Sequence, residues 1–255
     1  MKKMLAVILV VLTFSAIFCH ADEPQNVIIL GSVDNFPPFA YNADGKLTGV
    51  DIDVVNEMAK RIGINVRIKI FPWARLMDSV QKGSIDGGFA AFETEARKNF
   101  CLYTEPLHYE EYYLFVKKGN EFSYSGISDL YGKKVGKDRG VFVNEEFEHA
   151  AKKGKFILEE INDMSMLNIK KLNIGRLDAA IGDLGAMLYY AKLSGVEKNI
   201  IPLSPINEKT AAYLVLSKNS QLKNKTEMQK KMQSALKEIR EDGTWQKIFN
   251  SHTEK

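Results

Sequence analysis

Asp51-Ile52-Asp53-Val54-Val55-Asn56-Glu57-Met58-Ala59-Lys60-Arg61-Ile62-Gly63-Ile64-Asn65-Val66-Arg67-Ile68-Lys69-Ile70-Phe71 changes its hydrophobic period half-way along. From Asp51 to about Arg61, the spacing of Val54, Met58 and Ile62 puts one apolar face on a helix. Gly63 stops it, and Ile64 to Phe71 then alternates as a strand. A helix followed at once by a strand is the unit from which α/β proteins are built.

The same alternation continues on both sides of this stretch. Upstream, Asn26 to Gly31 is a short apolar run with the character of a buried strand, followed by a turn-rich segment through Asn42-Ala43-Asp44-Gly45. Downstream, a helix begins near Pro72, carries Leu76, Met77 and Val80 inward, and ends at Lys82-Gly83. Strands are expected at Asp86–Ala91, Tyr112–Val116, Lys134–Gly136, Leu177–Ile181 and Thr210–Leu216. Helices are expected at Val143–Lys152, Met164–Leu172, Gly185–Leu193 and Leu222–Arg240. Two α/β blocks, with a last strand and helix left over, suggest one lobe interrupted by an inserted lobe. Such a chain crosses between lobes twice, and paired crossovers make a hinge.

The first 21 residues read as an export signal. Lys2 and Lys3 precede an apolar run from Met4 to Phe18, and Cys19-His20-Ala21 places small residues at −3 and −1 for cleavage before Asp22. The apolar run is shorter than the roughly 20 residues that span a bilayer; an uncleaved anchor is the alternative reading. Phe18 before Cys19 argues against lipidation, since a lipobox needs a small residue there. With the leader removed, Cys101 is the one cysteine left, so no internal disulfide is expected. Of 35 basic and 32 acidic residues, two lysines leave with the leader. The near-neutral remainder offers no electrostatic footprint for nucleic acid or an anionic membrane.

Seven short motifs occur in order along nearly the whole remaining chain, from about Asn26 to Phe249. They are Phe36-Pro37-Pro38-Phe39, Gly45–Asp53, Gly83-Ser84-Ile85-Asp86, Thr94-Glu95-Ala96-Arg97, Asp129–Gly136, Gly175-Arg176-Leu177-Asp178-Ala179 and Glu241-Asp242-Gly243-Thr244. Each alone is weak, but their order resembles the bacterial extracellular solute-binding proteins of the polar amino-acid type (family 3), which serve ATP-driven importers. The resemblance implies a type II clamshell with two hinge crossovers. Lobe 1 is then 22–111 and 207–255, and lobe 2 is 112–206. It also implies a periplasmic, monomeric protein that delivers a small amino-acid-like ligand to an ABC permease and needs no cofactor or metal.

The same resemblance assigns roles. Arg97, in the T-x-x-R motif, grips the ligand α-carboxylate, a task suited to a planar guanidinium that offers two parallel hydrogen bonds. Read without the motif, it is a surface arginine near a helix start. Asp183 accepts the ligand ammonium, although an Asp at a strand end before a helix is also a natural N-cap. Phe36 and Trp73 match positions that sandwich the ligand side chain, with ordinary core packing as the alternative.

Departures from the family pattern fall at Ala90, Phe92 and Phe142, where many relatives carry small hydroxyl residues. The expected pocket is therefore greasier around the carboxylate, and these three residues line it. Trp73-Ala74-Arg75 resembles a less characterised branch with a W-x-R motif; Arg75 is expected on a helix surface. The family scaffold also carries dehydratases of the cyclohexadienyl type and sensor domains of receptor kinases. Glu110 and Glu111, near the first crossover, are the candidate general acids or bases of the former, but carboxylates at a hinge are usually solvated. No nucleophile motif, zinc-ligand spacing or phosphate-binding glycine loop is present, and a binding protein without enzymatic activity is the expectation.

Overall fold

The computed structural model describes residues 27–162 and 165–253. The leader lies outside the described residues, as does Met164, the first residue of one expected helix. The first lobe is built on strands β1 (Val27–Ser32), β5 (Asn65–Ile70), β6 (Gly87–Phe92), β7 (Cys101–Glu110) and β13 (Thr210–Ser217). These form one sheet in the order β5-β1-β6-β13-β7. β5, β1 and β6 run parallel, while β13 is antiparallel to both of its neighbours. The second lobe repeats this plan with β8 (Tyr112–Lys117), β9 (Lys134–Asp138), β10 (Ile157–Ile161), β11 (Ala179–Asp183) and β12 (Ile200–Pro205). Their order is β10-β9-β11-β8-β12, parallel across the first three and antiparallel at β8. A small antiparallel sheet of β2 (Asn35–Phe36), β3 (Ala40–Ala43) and β4 (Lys46–Thr48) precedes the first helix. The architecture is α/β and two-lobed.

Helices cover both faces of each main sheet. In the first lobe, α1 (Val50–Ile62) and α7 (Lys225–Glu241) pack on one face and α2 (Trp73–Lys82) on the other; the short α3 (Glu95–Lys98) follows β6. In the second lobe, α4 (Glu145–Lys152) takes one face, and α5 (Met166–Asn173) and α6 (Leu184–Leu193) the other. The last helix, α8 (Thr244–Thr253), packs on α1 and α7. Strand periodicity sets this layering. Leu214 and Leu216 of β13 enter the core under α1 and α7, while Val215 between them enters the core under α2. Leu114 and Val116 of β8 likewise face α4, and Phe115 faces α5 and α6.

Two motif aspartates act as matching staples. Asp86 donates its backbone N–H to the Ile29 carbonyl and accepts the N–H of the same residue on its carboxylate, at 2.9 Å each. In the second lobe, Asp178 donates to the Lys134 carbonyl at 2.9 Å and accepts the Lys134 N–H at 2.7 Å. Each staple fixes the entry of an inner strand next to its parallel neighbour. Gly83 in the first motif has φ +70, and a Cβ there would lie 2.3 Å from the Asn219 carbonyl oxygen, so only glycine fits.

Glu111 alone separates β7 from β8, and a short segment joins β12 to β13. The main chain therefore passes between the two sheets at two neighbouring places, and the ends of β6, β7, β8 and β11 converge there.

Candidate functional site

A narrow pocket, partly open to solvent, lies where the lobes meet. The first lobe contributes Val33, Phe36, Trp73, Ala90, Phe92 and Arg97. Val141 and Phe142 close it from the second lobe, and Glu110 and Tyr112 stand on either side of the first crossover. Six of the seven residues expected at the site thus share one cavity: Arg97, Phe36, Trp73, Ala90, Phe92 and Phe142.

Arg97 is held from below by its own motif. Thr94 caps α3, its hydroxyl accepting the Arg97 N–H at 3.2 Å. The guanidinium is buried and donates through Nη1 to the Phe92 carbonyl at 3.1 Å and through Nη2 to the Gly140 carbonyl at 3.3 Å. Its carbon lies 5.4 Å from the centre of the Trp73 ring, within cation–π range. Burial lowers its pKa, though a guanidinium keeps its proton in any protein setting. Among the described residues it forms no ion pair. A buried cation whose hydrogen bonds go to neutral carbonyls carries an uncompensated charge.

Trp73 and the loop after β9 join the lobes. The indole Nε1–H donates to the Gly140 carbonyl at 3.0 Å. The loop itself hangs on a buried lysine: Lys137 Nζ donates to the Val141 carbonyl at 2.8 Å and pairs with Glu160 at 2.8 Å. On the other side of Trp73 lies a second, solvent-open cavity of mixed lining, with Asp34, Asn35, Asp138 and Arg139 facing apolar residues such as Ile70 and Phe71. Arg75 is exposed on α2.

Asp183 is placed differently from the other six. It ends β11 and caps α6, its Oδ1 accepting the Ala186 N–H at 3.0 Å. It is 6% exposed, burial raises its pKa, and it does not line the cavity that holds Arg97. The acid on that cavity is Glu110. It is buried, whereas its neighbour Glu111 is solvated and pairs with Lys209 at 3.4 Å. The general expectation of solvated hinge carboxylates fails at Glu110 because β7 continues to that residue and turns it inward.

Behind Glu110 lies a charge cluster that the sequence motifs do not assemble. His108 Nε2 is 3.1 Å from Glu110 Oε1, and His108 Nδ1 is 2.8 Å from Asp51 Oδ1. The imidazole is stacked on Phe39, with ring centres 3.6 Å apart and planes at 11°. Burial alone would lower the His108 pKa, but Asp51 and then Glu110 outweigh it and raise it to about 10. Burial pushes Glu110 up to about 7 against the pull of His108. The signal available in the sequence is the i, i+2 spacing of His108 and Glu110, which puts both on one face of a strand.

The profile of the bacterial extracellular solute-binding proteins, family 3, matches residues 28–255. The histidine-binding periplasmic protein of Escherichia coli (strain K12) is 30% identical over 258 aligned positions, covering 99% of this chain and 97% of that protein. An ancestral arginine-binding protein bound to arginine superposes with a TM-score of 0.78 at 27% identity, over 90% of this chain and 99% of its own. A histidine kinase sensor domain with similarity to periplasmic binding proteins also reaches 0.78, at 17% identity, over 89% and 96% of the two chains. That last likeness is one of fold.

Proposed function

The chain belongs to the bacterial extracellular solute-binding proteins, family 3, and from that premise we propose that it captures an amino acid between its lobes for an ABC importer. Arg97 carries this reading. A buried guanidinium without an ion pair among the described residues, at the wall of an otherwise mostly apolar pocket, is suited to an incoming carboxylate. Phe36, Trp73, Ala90, Phe92 and Phe142 shape the space around the ligand stem, and Asp183 stands behind it at the head of α6. The similar proteins are named for histidine and arginine binding, which favours a ligand of the same class.

The lobes are taken as 22–111 with 207–255, and 112–206, hinged at the two crossovers. Export through residues 1–21 puts the protein in the periplasm as a monomer, where the closed form meets the permease. Among the described residues no helix is long and apolar enough to cross a membrane. The protein carries out no chemistry on its ligand and uses no cofactor or metal.

A thermal-shift screen of the purified protein against amino acids, related amines and small carboxylates tests this. A ligand at 100 times its dissociation constant adds about 2.7 kcal/mol of stability, and Arg97→Ala abolishes the shift. A full shift in Arg97→Ala removes the carboxylate assignment.

A further inference from the structure

The pocket has two charged walls. Arg97 supplies one, and the only acid among its lining residues is Glu110. Glu110 belongs to a set of three buried ionisable groups: two carboxylates, Glu110 and Asp51, share the single imidazole of His108. Asp51 is 1% exposed, and its second oxygen, Oδ2, has no hydrogen-bond partner among the described residues. One imidazolium neutralises one carboxylate, so the set carries a surplus negative charge when both acids are ionised. Asp51 is buried in the first turn of α1, its N–H donating to the Phe39 carbonyl at 2.9 Å. Glu110 is the member that reaches the cavity, which gives the surplus charge an outlet there. Asp183, the acid that the family motif assigns to the ammonium, spends Oδ1 on the cap of α6 and lies off the cavity wall.

We propose that Glu110 is the anionic pole of the pocket and receives the cationic group, an ammonium or a guanidinium, of a ligand whose carboxylate is held by Arg97. This rests on the reading of Arg97 given above and adds the second half of the recognition. His108 and Asp51 are positioning residues: they fix the Glu110 carboxylate from behind and do not touch the ligand. The chemistry selects compounds that carry both charges over simple carboxylates, which would bring a further negative charge to a wall where Glu110 already shares the imidazole of His108 with Asp51.

Calorimetric titration of the full chain and of Glu110→Gln, Asp183→Asn and Arg97→Ala with the twenty amino acids, agmatine, acetate and succinate tests this. The compounds that bind carry a cationic group, and Glu110→Gln weakens the tightest of them at least about ten-fold. Binding abolished by Arg97→Ala but unchanged in Glu110→Gln overturns this inference and leaves the Arg97 reading standing. Loss in Glu110→Gln with binding retained in Arg97→Ala does the reverse. Acetate or succinate binding as tightly as any amino acid also overturns it, and no binding by any cation-bearing compound overturns both.

If Glu110→Gln lowers the melting midpoint of the free protein, the wild type decides. Glu110 is faced by His108 on its own strand, Asp51 from α1, Tyr112 from β8, Asp183 from β11 and Arg97 from α3. Affinity for the tightest cationic ligand then rises from about pH 6 to about pH 8 as the Glu110 carboxyl ionises, and a flat profile overturns the proposal.

Discussion

Trp73 and Gly140 meet across the cleft: the indole N–H on the first lobe donates to the Gly140 carbonyl on the second at 3.0 Å. The same carbonyl accepts from Arg97 Nη2 at 3.3 Å. One peptide group of the second lobe is thereby tied to both the aromatic wall and the guanidinium of the first. Arg97, the proposed grip on the ligand carboxylate, thus also helps hold the lobes together.

Gly140 allows this approach. Its φ is +78, and a Cβ there would come within 3.1 Å of both Ala74 Cα and Ala74 Cβ on the facing lobe. Gly140→Ala is expected to weaken ligand binding about ten-fold, since the added methyl crowds Ala74 where the lobes meet, while the roughly 1–2 kcal/mol cost of a side chain at positive φ falls on stability. Calorimetric titration measures this. Unchanged affinity would mean that the lobes do not meet at this peptide when ligand is held.

The fold is legible in the sequence where the chain obeys one period at a time. The helix at Asp51 and the strand after Gly63 stand out because each keeps a single period up to the glycine that divides them. The motif aspartates Asp86 and Asp178 are visible as motifs, and their matching staples explain why the two lobes carry the same signature. β7 is hidden. Its alternation is broken by Pro106, near which its pairing with β13 shifts register, and its buried positions include Thr104, His108 and Glu110, residue types ordinarily found at the surface. The site is split in the same way. Arg97 and the aromatic wall follow from short motifs, whereas Asp51 lies on α1 and His108 and Glu110 lie on the hidden β7, so only tertiary packing brings the three together.

Arg97→Lys separates charge from geometry. Lysine keeps the cation but loses the planar fork that reaches the Phe92 and Gly140 carbonyls at once while facing the pocket. Affinity is expected to fall by about ten-fold or more, with the melting midpoint of the free protein close to that of the wild type. Equal affinity in the lysine variant would show that Arg97 acts as a point charge and not through paired hydrogen bonds.

Ala90 is a strained position on the pocket wall. It has φ +62 within β6, beside the place where β13 shifts register between Tyr213 and Val215. The left-handed conformation costs a side chain about 1–2 kcal/mol, and glycine would remove that cost while adding about 0.4–1 kcal/mol of unfolded-state entropy. Ala90→Gly is expected to raise stability by about 0.5–1 kcal/mol, read as a higher urea midpoint at unchanged slope. A lower midpoint would place the Ala90 methyl among the contacts that hold the lobe.

His108 makes the stability of the protein depend on pH in a defined sense. Its pKa is about 10 in the folded protein against an ordinary 6.5, so between these values the folded state keeps a proton that the unfolded chain has released. The stabilisation is fully present below about pH 6.5 and is lost as pH rises through about 10. Glu110, raised to about 7 from 4.5, works in the same direction over its lower window. Denaturant unfolding at a series of pH values should therefore show stability falling on the alkaline side. His108→Gln leaves Asp51 and Glu110 buried without their cation and is expected to cost about 3–5 kcal/mol near neutral pH, while flattening the alkaline slope. A variant that keeps both the wild-type stability and the wild-type slope would show that the imidazole is neutral, with the proton residing on one of the two acids.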